Sequence, residues 1–467
     1  MTDKNTKIMN AEVEHVLGEE AADNHTDAES HESSSVRSVS ICSSAHSYTS
    51  TFGYNQESWE EYRPRVESLC STLWPAPTSA ATRLAARLRT YKLFREILPQ
   101  PQVPLIERLQ GGDYNRITGI TLPLVKGQDA QKFILRTNRW GEGRPDRETA
   151  VLHYLRQNTS IPVPEVVKED YSSNNALEKA YVIQKRISGS DVDSIWESLT
   201  HSQRCSIARQ MGRVVKTLLS LEHPLPGLID SLPKDPSISP EPKVVPFELK
   251  ESDDEIIDET VLQTAHLMKS LPTRLTIGEF FRFQFTRWHT YALTRPFERV
   301  TSLFENLLYA VSEMNDMGLL KADRHCLCHV DLHSRNMMAE VQSDGSINIT
   351  AILDWDEAVI GPKLVNCQPP WWLWQEEGDE RVDEEVDWPY ELAAAPGFPY
   401  TPEKQELRRI FEETAGVEWN YLAYDEVSRL SRCLFILAKD GLKTGEHFKA
   451  ADRFLREWNE LRPTLTT

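Results

Sequence analysis

Residues 328–356 read Cys-His-Val-Asp-Leu-His-Ser-Arg-Asn-Met-Met-Ala-Glu-Val-Gln-Ser-Asp-Gly-Ser-Ile-Asn-Ile-Thr-Ala-Ile-Leu-Asp-Trp-Asp. Met337 to Gln342 is a short apolar-rich run. Ser343-Asp344-Gly345-Ser346 is a turn cluster, because Asp and Gly supply the backbone angles of a tight reversal. Ile347 to Leu353 is β-branched and half alternating, which suits a strand. The segment therefore reads as a β-hairpin. Asn336 stands just before its first strand and Asp354 just after its second, so the open end of the hairpin brings the two together. Asp331 lies on the loop that enters it.

An amide oxygen and carboxylates facing one small space are what phosphoryl transfer requires. Mg²⁺ is a hard cation that takes oxygen ligands, typically one or two carboxylates plus substrate phosphates. Asn336 and Asp354 offer such oxygens, and Asp331 can accept the proton of an incoming hydroxyl. The remaining chemistry is positioning and charge neutralisation.

His329-Val330-Asp331, then Asn336, then Asp354-Trp355-Asp356 resemble the H-x-D-x-x-x-x-N and D-W-D/E motifs of the aminoglycoside phosphotransferase-like, choline-kinase-like small-molecule kinases. The resemblance covers about residues 104–375 and, more loosely, the C-terminal helices. It implies an α+β, protein-kinase-like fold of two lobes, a small β-rich one and a large helical one. It also implies Asp331 as catalytic base, His329 as a brace for the loop, Asn336 and Asp354 as magnesium ligands, and Asp356 as a second metal contact or a support.

Upstream, Ile106 to Leu109 and Ile117 to Val125 read as strands joined by a glycine turn that includes Gly111, Gly112 and Asn115. Such a turn lets backbone N–H groups approach phosphates unobstructed. Lys132 to Arg136 reads as the next strand. The position where kinases carry a phosphate-gripping lysine holds Arg136, whose guanidinium forks well onto phosphate. Lys132 shares its strand face and is expected to share the work. Glu148, on a helix opened by Asp146, is the expected partner of Arg136. Tyr181 to Gly189, with Gln184 and Arg186, reads as a strand running into a loop, which the resemblance makes the hinge that receives adenine.

These readings divide the chain into a Ser-rich, acidic disordered tail (1–55), a helical extension (56–103), an ATP-binding lobe (104–190) and a catalytic lobe (191–467). The extension holds helices near 58–73 and 79–98. The catalytic lobe is expected to be mostly helical, with a Pro-rich and acidic surface insert at about 231–259 and a second acidic run at 376–387. Trp371, Trp372 and Trp374 suit a core anchor or an acceptor pocket.

With 52 Lys+Arg against 71 Asp+Glu the net charge is −19, which argues against nucleic acid as a partner. The seven cysteines are scattered and odd in number, so a disulfide framework is not expected. Cys326, Cys328, His329 and His333 lack zinc-finger spacing. No apolar run reaches the length of a membrane helix and no secretory h-region is visible, so a cytoplasmic location is expected.

The expected activity is ATP- and Mg²⁺-dependent phosphorylation of a hydroxyl on a small molecule. The rival reading, resting on Arg136, is a catalytically weak pseudokinase that binds nucleotide or a partner. No activation-loop pattern follows the D-W-D, which disfavours a regulated protein kinase. No residue singles out one acceptor, and none sets an oligomeric state.

Overall fold

A computed structural model describes residues 57–75, 104–109, 111, 115–122, 130–139, 144–231, 242–249, 274–293, 298–322, 324–374 and 401–465. The expected tail, the helix at 79–98, Gly112 and the run at 376–387 lie outside the described residues.

The small lobe is a five-stranded antiparallel sheet of order β1-β2-β3-β5-β4. Its strands are β1 (Leu105–Arg108), β2 (Asn115–Thr121), β3 (Lys132–Asn138), β4 (Val166–Asp170) and β5 (Tyr181–Lys185). Strand side chains alternate between faces, and each face has its own neighbour. Phe133, Leu135, Ile120 and Ile183 point into a core shared with helix α1 (Trp59–Leu73). Tyr62 of α1 meets the Thr137 hydroxyl at 3.1 Å, and Trp74 stacks on Phe133. A capping box between Ser58 and Glu61 starts α1, satisfying backbone donors that have no intrahelical acceptor. The opposite face carries Ile117, Ile134, Arg136, Val182 and Gln184 in cross-strand register. Helix α2 (Pro145–Asn158) delivers the buried Glu148 to that side.

The chain leaves β5 through Gly189 into β6 (Ser190–Asp191), which pairs with Met338 and Ala339 of the predicted hairpin. Gly189 has a φ of +96°, and a Cβ there would collide with the Ala339 carbonyl. Glycine is thus required twice, for its backbone angle and for the close approach. Gly189→Ala is expected to lower unfolding stability by at least about 1–3 kcal/mol, read by denaturant titration. An unchanged midpoint would refute this packing.

The large lobe follows with α3 (Val192–Ile195), α4 (His201–Ser220), β7 (Glu222–His223), β8 (Gly227–Ser231), β9 (Lys243–Val245), α5 (Ile277–Ala292) and α6 (Glu298–Asp316). Then come β10 (His325–Cys328), β11 (Met337–Val341), β12 (Ile347–Ile352) and β13 (Val359–Pro362). Helices α7 (Pro402–Ala415), α8 (Val417–Tyr424), α9 (Glu426–Asp440) and α10 (Gly445–Leu465) close the chain. Capping boxes start α4 (Thr200, Gln203) and α5 (Thr276, Glu279). β11 and β12 form the predicted antiparallel hairpin, Met337 facing Ile352.

Two expectations are corrected. The large lobe is not simply helical before the hairpin: β7-β10-β13-β8-β9 form a second five-stranded sheet. Its strands are short and bounded by helices, so their periodicity is too brief to read. The region expected as a surface insert also reaches inward. β9 pairs with β8, and Phe247 and Leu249 are buried in the main core; residues 232–241 and 250–259 lie outside the described residues.

Candidate active site

The buried strand β10 ends at Cys328 and releases His329-Val330-Asp331. A single 3-10 turn over Ser334–Asn336 leads directly into β11. The Leu353 N–H donates to the Asn336 carbonyl at 2.8 Å and closes the open end of the hairpin. His329 is fully buried, and its Nε2–H donates to the Leu353 carbonyl at 2.7 Å. Its ring lies against Trp355 with centroids 4.4 Å apart. Burial pulls the imidazole pKa down, so the ring is neutral and ties the Asp331 loop to the Asp354 loop without adding charge.

Both loops hold backbone in the left-handed region, Val330 at φ 72° and Asp354 at φ 64°. A β-branched valine seldom adopts that angle, and each such residue costs about 1–3 kcal/mol. The surrounding hydrogen bonds offset that cost and fix where the neighbouring carboxylates point.

Asn336 Nδ2 donates to the Asp331 carboxylate at 2.8 Å and to its carbonyl at 2.9 Å, which leaves the amide oxygen available to a cation. One guanidinium nitrogen of Arg335 donates to both Asp331 oxygens at 2.8 Å. Ser334 Oγ donates to Asp193 at 2.6 Å and pins the turn to α3. Arg136 and Glu148 form a buried ion pair, and a second nitrogen of Arg136 lies 4.0 Å from Asp354. Burial drives Glu148 toward its neutral form. In Arg136 desolvation is outweighed by Glu148, Asp356 and Asp354, and the net shift is upward. The Arg136 guanidinium opposes that pull on Glu148. A hydrogen-bonded guanidinium does not give up its proton, so the charged pair is the state that stands.

Asp354 and Asp356 lie within mutual hydrogen-bonding reach, and burial raises both carboxyl pKa values, Asp356 to about 6 with the Asp354 charge adding to the effect. The Asp354 side chain is 45% exposed and Asp356 opens to solvent, yet both sit in a concave, charge-crowded cleft where screening is incomplete. Crowded carboxylates beside an amide oxygen form a hard donor set that fits Mg²⁺.

The cleft measures about 650 Å³ and includes Asn115, Asn138, Glu148, Asp331, Asp354 and Asp356 in its wall. Four basic side chains of its wall, Arg144, Arg147, Lys439 and Lys443, escaped the sequence reading. Arg144 and Arg147 stand at the start of α2, and Lys439 at the end of α9 is held by Glu357 at 3.1 Å. The Arg-Pro-Asp-Arg run before Glu148 was the available signal for the first two. Lys439 had none, because it arrives from far along the chain.

Gly111 packs against Asn115 and Ile117 so closely that a Cβ would meet the Asn115 carbonyl. Gln184 is buried on the Arg136 side of the sheet, and its Nε2 has no hydrogen-bond partner among the described residues. Lys132 and Arg186 depart from expectation. Lys132 is exposed at the far end of β3, about 13 Å from Arg136 at strand rise, so a shared face does not make a shared site. The Arg186 N–H donates to the Lys132 carbonyl and its guanidinium pairs with Glu107, so that backbone donor is already taken. Cys326 and Cys328 are free thiols buried in the β10 core. Trp374 packs on Phe411, whereas Trp372 reaches Trp196 and His333.

The family model of the phosphotransferase enzyme family matches residues 124–388, a span that contains Arg136, Glu148 and the whole Asp331–Asp356 constellation. This chain belongs to the phosphotransferase enzyme family. A subtelomeric hrmA-associated cluster protein of Aspergillus fumigatus is 24% identical over 134 residues, 28% of this chain and 25% of the relative. The match therefore spans about a quarter of that curated relative's length. Among solved structures, the ADP-bound aminoglycoside phosphotransferase APH(2'')-Ib is similar at 12% identity and TM-score 0.39, covering 81% of this chain and 97% of that one. Choline kinase from Cryptosporidium parvum is similar at 13% identity and TM-score 0.34, covering 83% and 96%. The family member described here has the expected β-rich small lobe and helix-rich large lobe. No helix among its described residues is long and apolar enough to cross a membrane.

Proposed function

We propose that this chain transfers the terminal phosphoryl group of ATP to a hydroxyl of a small molecule, with Mg²⁺ held by Asn336, Asp354 and Asp356. The observation that carries the reading is the convergence of Glu148, Asp331, Asp354 and Asp356 on one cleft, with Asn336 bonded to Asp331 and Arg136 set between Glu148 and Asp354 behind its wall. Asp331 accepts the hydroxyl proton as the oxygen attacks. Arg136, fixed by Glu148, holds phosphate oxygens. The orphaned Gln184 amide, on the same face beside Ile134 and Val182, suits the edge of a purine base, since a buried donor without a partner is costly unless a ligand meets it. Mg²⁺ bound there supplies neutralisation of phosphate charge. The six described cysteines are all free, in keeping with a cytoplasmic setting.

The test is thermal stability with ATP and Mg²⁺ in the wild type and in Asp354→Ala. Ligand at about 100 times Kd stabilises by about 2.7 kcal/mol. A magnesium-dependent rise in the wild type that disappears in Asp354→Ala is the expected result. No rise at millimolar nucleotide would overturn the reading and favour a scaffold role.

A further inference from the structure

His201 and Cys205 lie one turn apart on α4, at i and i+4, and so share a face. Glu406 of α7 meets them there. The His201 Nε2 is 2.9 Å from Glu406 Oε2 and 3.4 Å from the Cys205 Sγ, and all three donor atoms lie within 4.8 Å of one another. No other group of three potential metal-binding side chains is gathered so closely among the described residues. From this geometry we infer a zinc site made of His201, Cys205 and Glu406, joining α4 to α7.

The spacing is that of a zinc coordination sphere. Zinc bonds of about 2.3 Å to sulfur and about 2.0–2.1 Å to nitrogen or oxygen, opened to a tetrahedral angle, place sulfur and nitrogen about 3.5 Å apart and nitrogen and oxygen about 3.3 Å apart. The sulfur–nitrogen and nitrogen–oxygen separations present, 3.4 Å and 2.9 Å, depart from these by a few tenths of an ångström, and the sulfur lies within 4.8 Å of the carboxylate oxygen. A thiolate and a carboxylate together balance a dication. The donors are also firmly placed. α4 and α7 approach so closely at Gly212 that a Cβ there would press on the Phe411 carbonyl and Thr414, which fixes Glu406 opposite the other two. Cys205 is buried while His201 and Glu406 are partly open, with side-chain exposures of 34% and 47%, so an ion enters from solvent and water completes the fourth position. Arg409 approaches the other Glu406 oxygen only to 3.9 Å and bonds Glu413 instead. On binding, the Cys205 thiol releases one proton to solvent, as any zinc thiolate must.

The site is separate from the phosphotransfer cleft. Gln203, beside His201, donates to the Gly345 carbonyl at the tip of the β11–β12 hairpin. Asn336 and Asp354 occupy the other end, about 17 Å away at strand rise.

The experiment titrates zinc chloride into the purified full chain by calorimetry, with Mg²⁺ saturating throughout, in buffers of different ionisation enthalpy. Cobalt substitution gives an independent spectroscopic reading of a thiolate bond. One zinc per chain, about one proton released, a thiolate-to-cobalt absorption band and a raised thermal midpoint are expected. Cys205→Ser should abolish the band. Both His201→Gln and the solvent-facing Glu406→Gln should weaken zinc by an order of magnitude or more. The magnesium-ATP response should persist in all three, which separates this inference from the proposed activity. Absence of zinc binding, or zinc binding undiminished in Cys205→Ser and Glu406→Gln, overturns the site.

Discussion

Asp331→Asn is expected to lower phosphoryl-transfer turnover by about 10²–10⁴-fold, the usual contribution of a positioned general base, while nucleotide-dependent stabilisation persists. The carboxylate is held by Asn336 Nδ2 and by a single Arg335 nitrogen. The amide keeps the size of the side chain and can still accept from these donors, so the loop geometry survives. What disappears is the capacity to take a proton from the acceptor hydroxyl. The Arg335 contact is exposed on the arginine side, and losing its charge partner costs at most about 1 kcal/mol. Turnover under saturating nucleotide, together with a melting curve, checks this. Unaltered turnover would remove Asp331 from the chemistry, and a collapsed melting curve would make it a structural residue.

The second large effect is expected on stability. Glu148→Leu strands Arg136, whose side chain is 14% exposed, without its buried partner. Removing one member of a buried pair costs about 3–5 kcal/mol, because the remaining charge stays in a poorly solvating site. Asp354, 4.0 Å from Arg136, compensates only in part. The double variant Arg136→Met with Glu148→Leu should regain most of that loss, since apolar replacement of a buried pair is often neutral. It should nevertheless fail to show nucleotide-dependent stabilisation. Denaturant midpoints for the single and double variants, each with and without magnesium-ATP, separate the two roles. A double variant that still responds to nucleotide would show that Arg136 is a structural cation and not a phosphate ligand.

The parts of this molecule that were legible in its sequence are those set by local rules. The turn Ser343–Ser346 announced the hairpin, and the hairpin placed Asn336 beside Leu353 and Asp354. Glu148 as partner of Arg136 came instead from the likeness to kinases, whose strand cation pairs with a helix glutamate, and the ion pair is present. Non-local placements were not legible. Strand alternation said that Lys132 and Arg136 share a face, but not that a binding site extends over only a part of that face. Lys439 reaches the cleft from α9, and β7, β8 and β9 are too short to leave a period. His201 and Cys205 carry helical spacing, but Glu406 joins them only because α4 and α7 pack together.

The linker out of the small lobe is sewn into the β11–β12 hairpin. β6 pairs with β11, Thr350 donates to the Ser188 carbonyl, and Ser188 donates to Glu340. It therefore behaves as an axle bolted to one of the two bodies it joins. A swing of the upper sheet about this linker would leave Asp331, Asn336 and Asp354 on one body, with their mutual spacing kept. Arg136 lies on the upper sheet, with Glu148 beside it. The separation that such a swing would change is the gap between Arg136 and Asp354, 4.0 Å here.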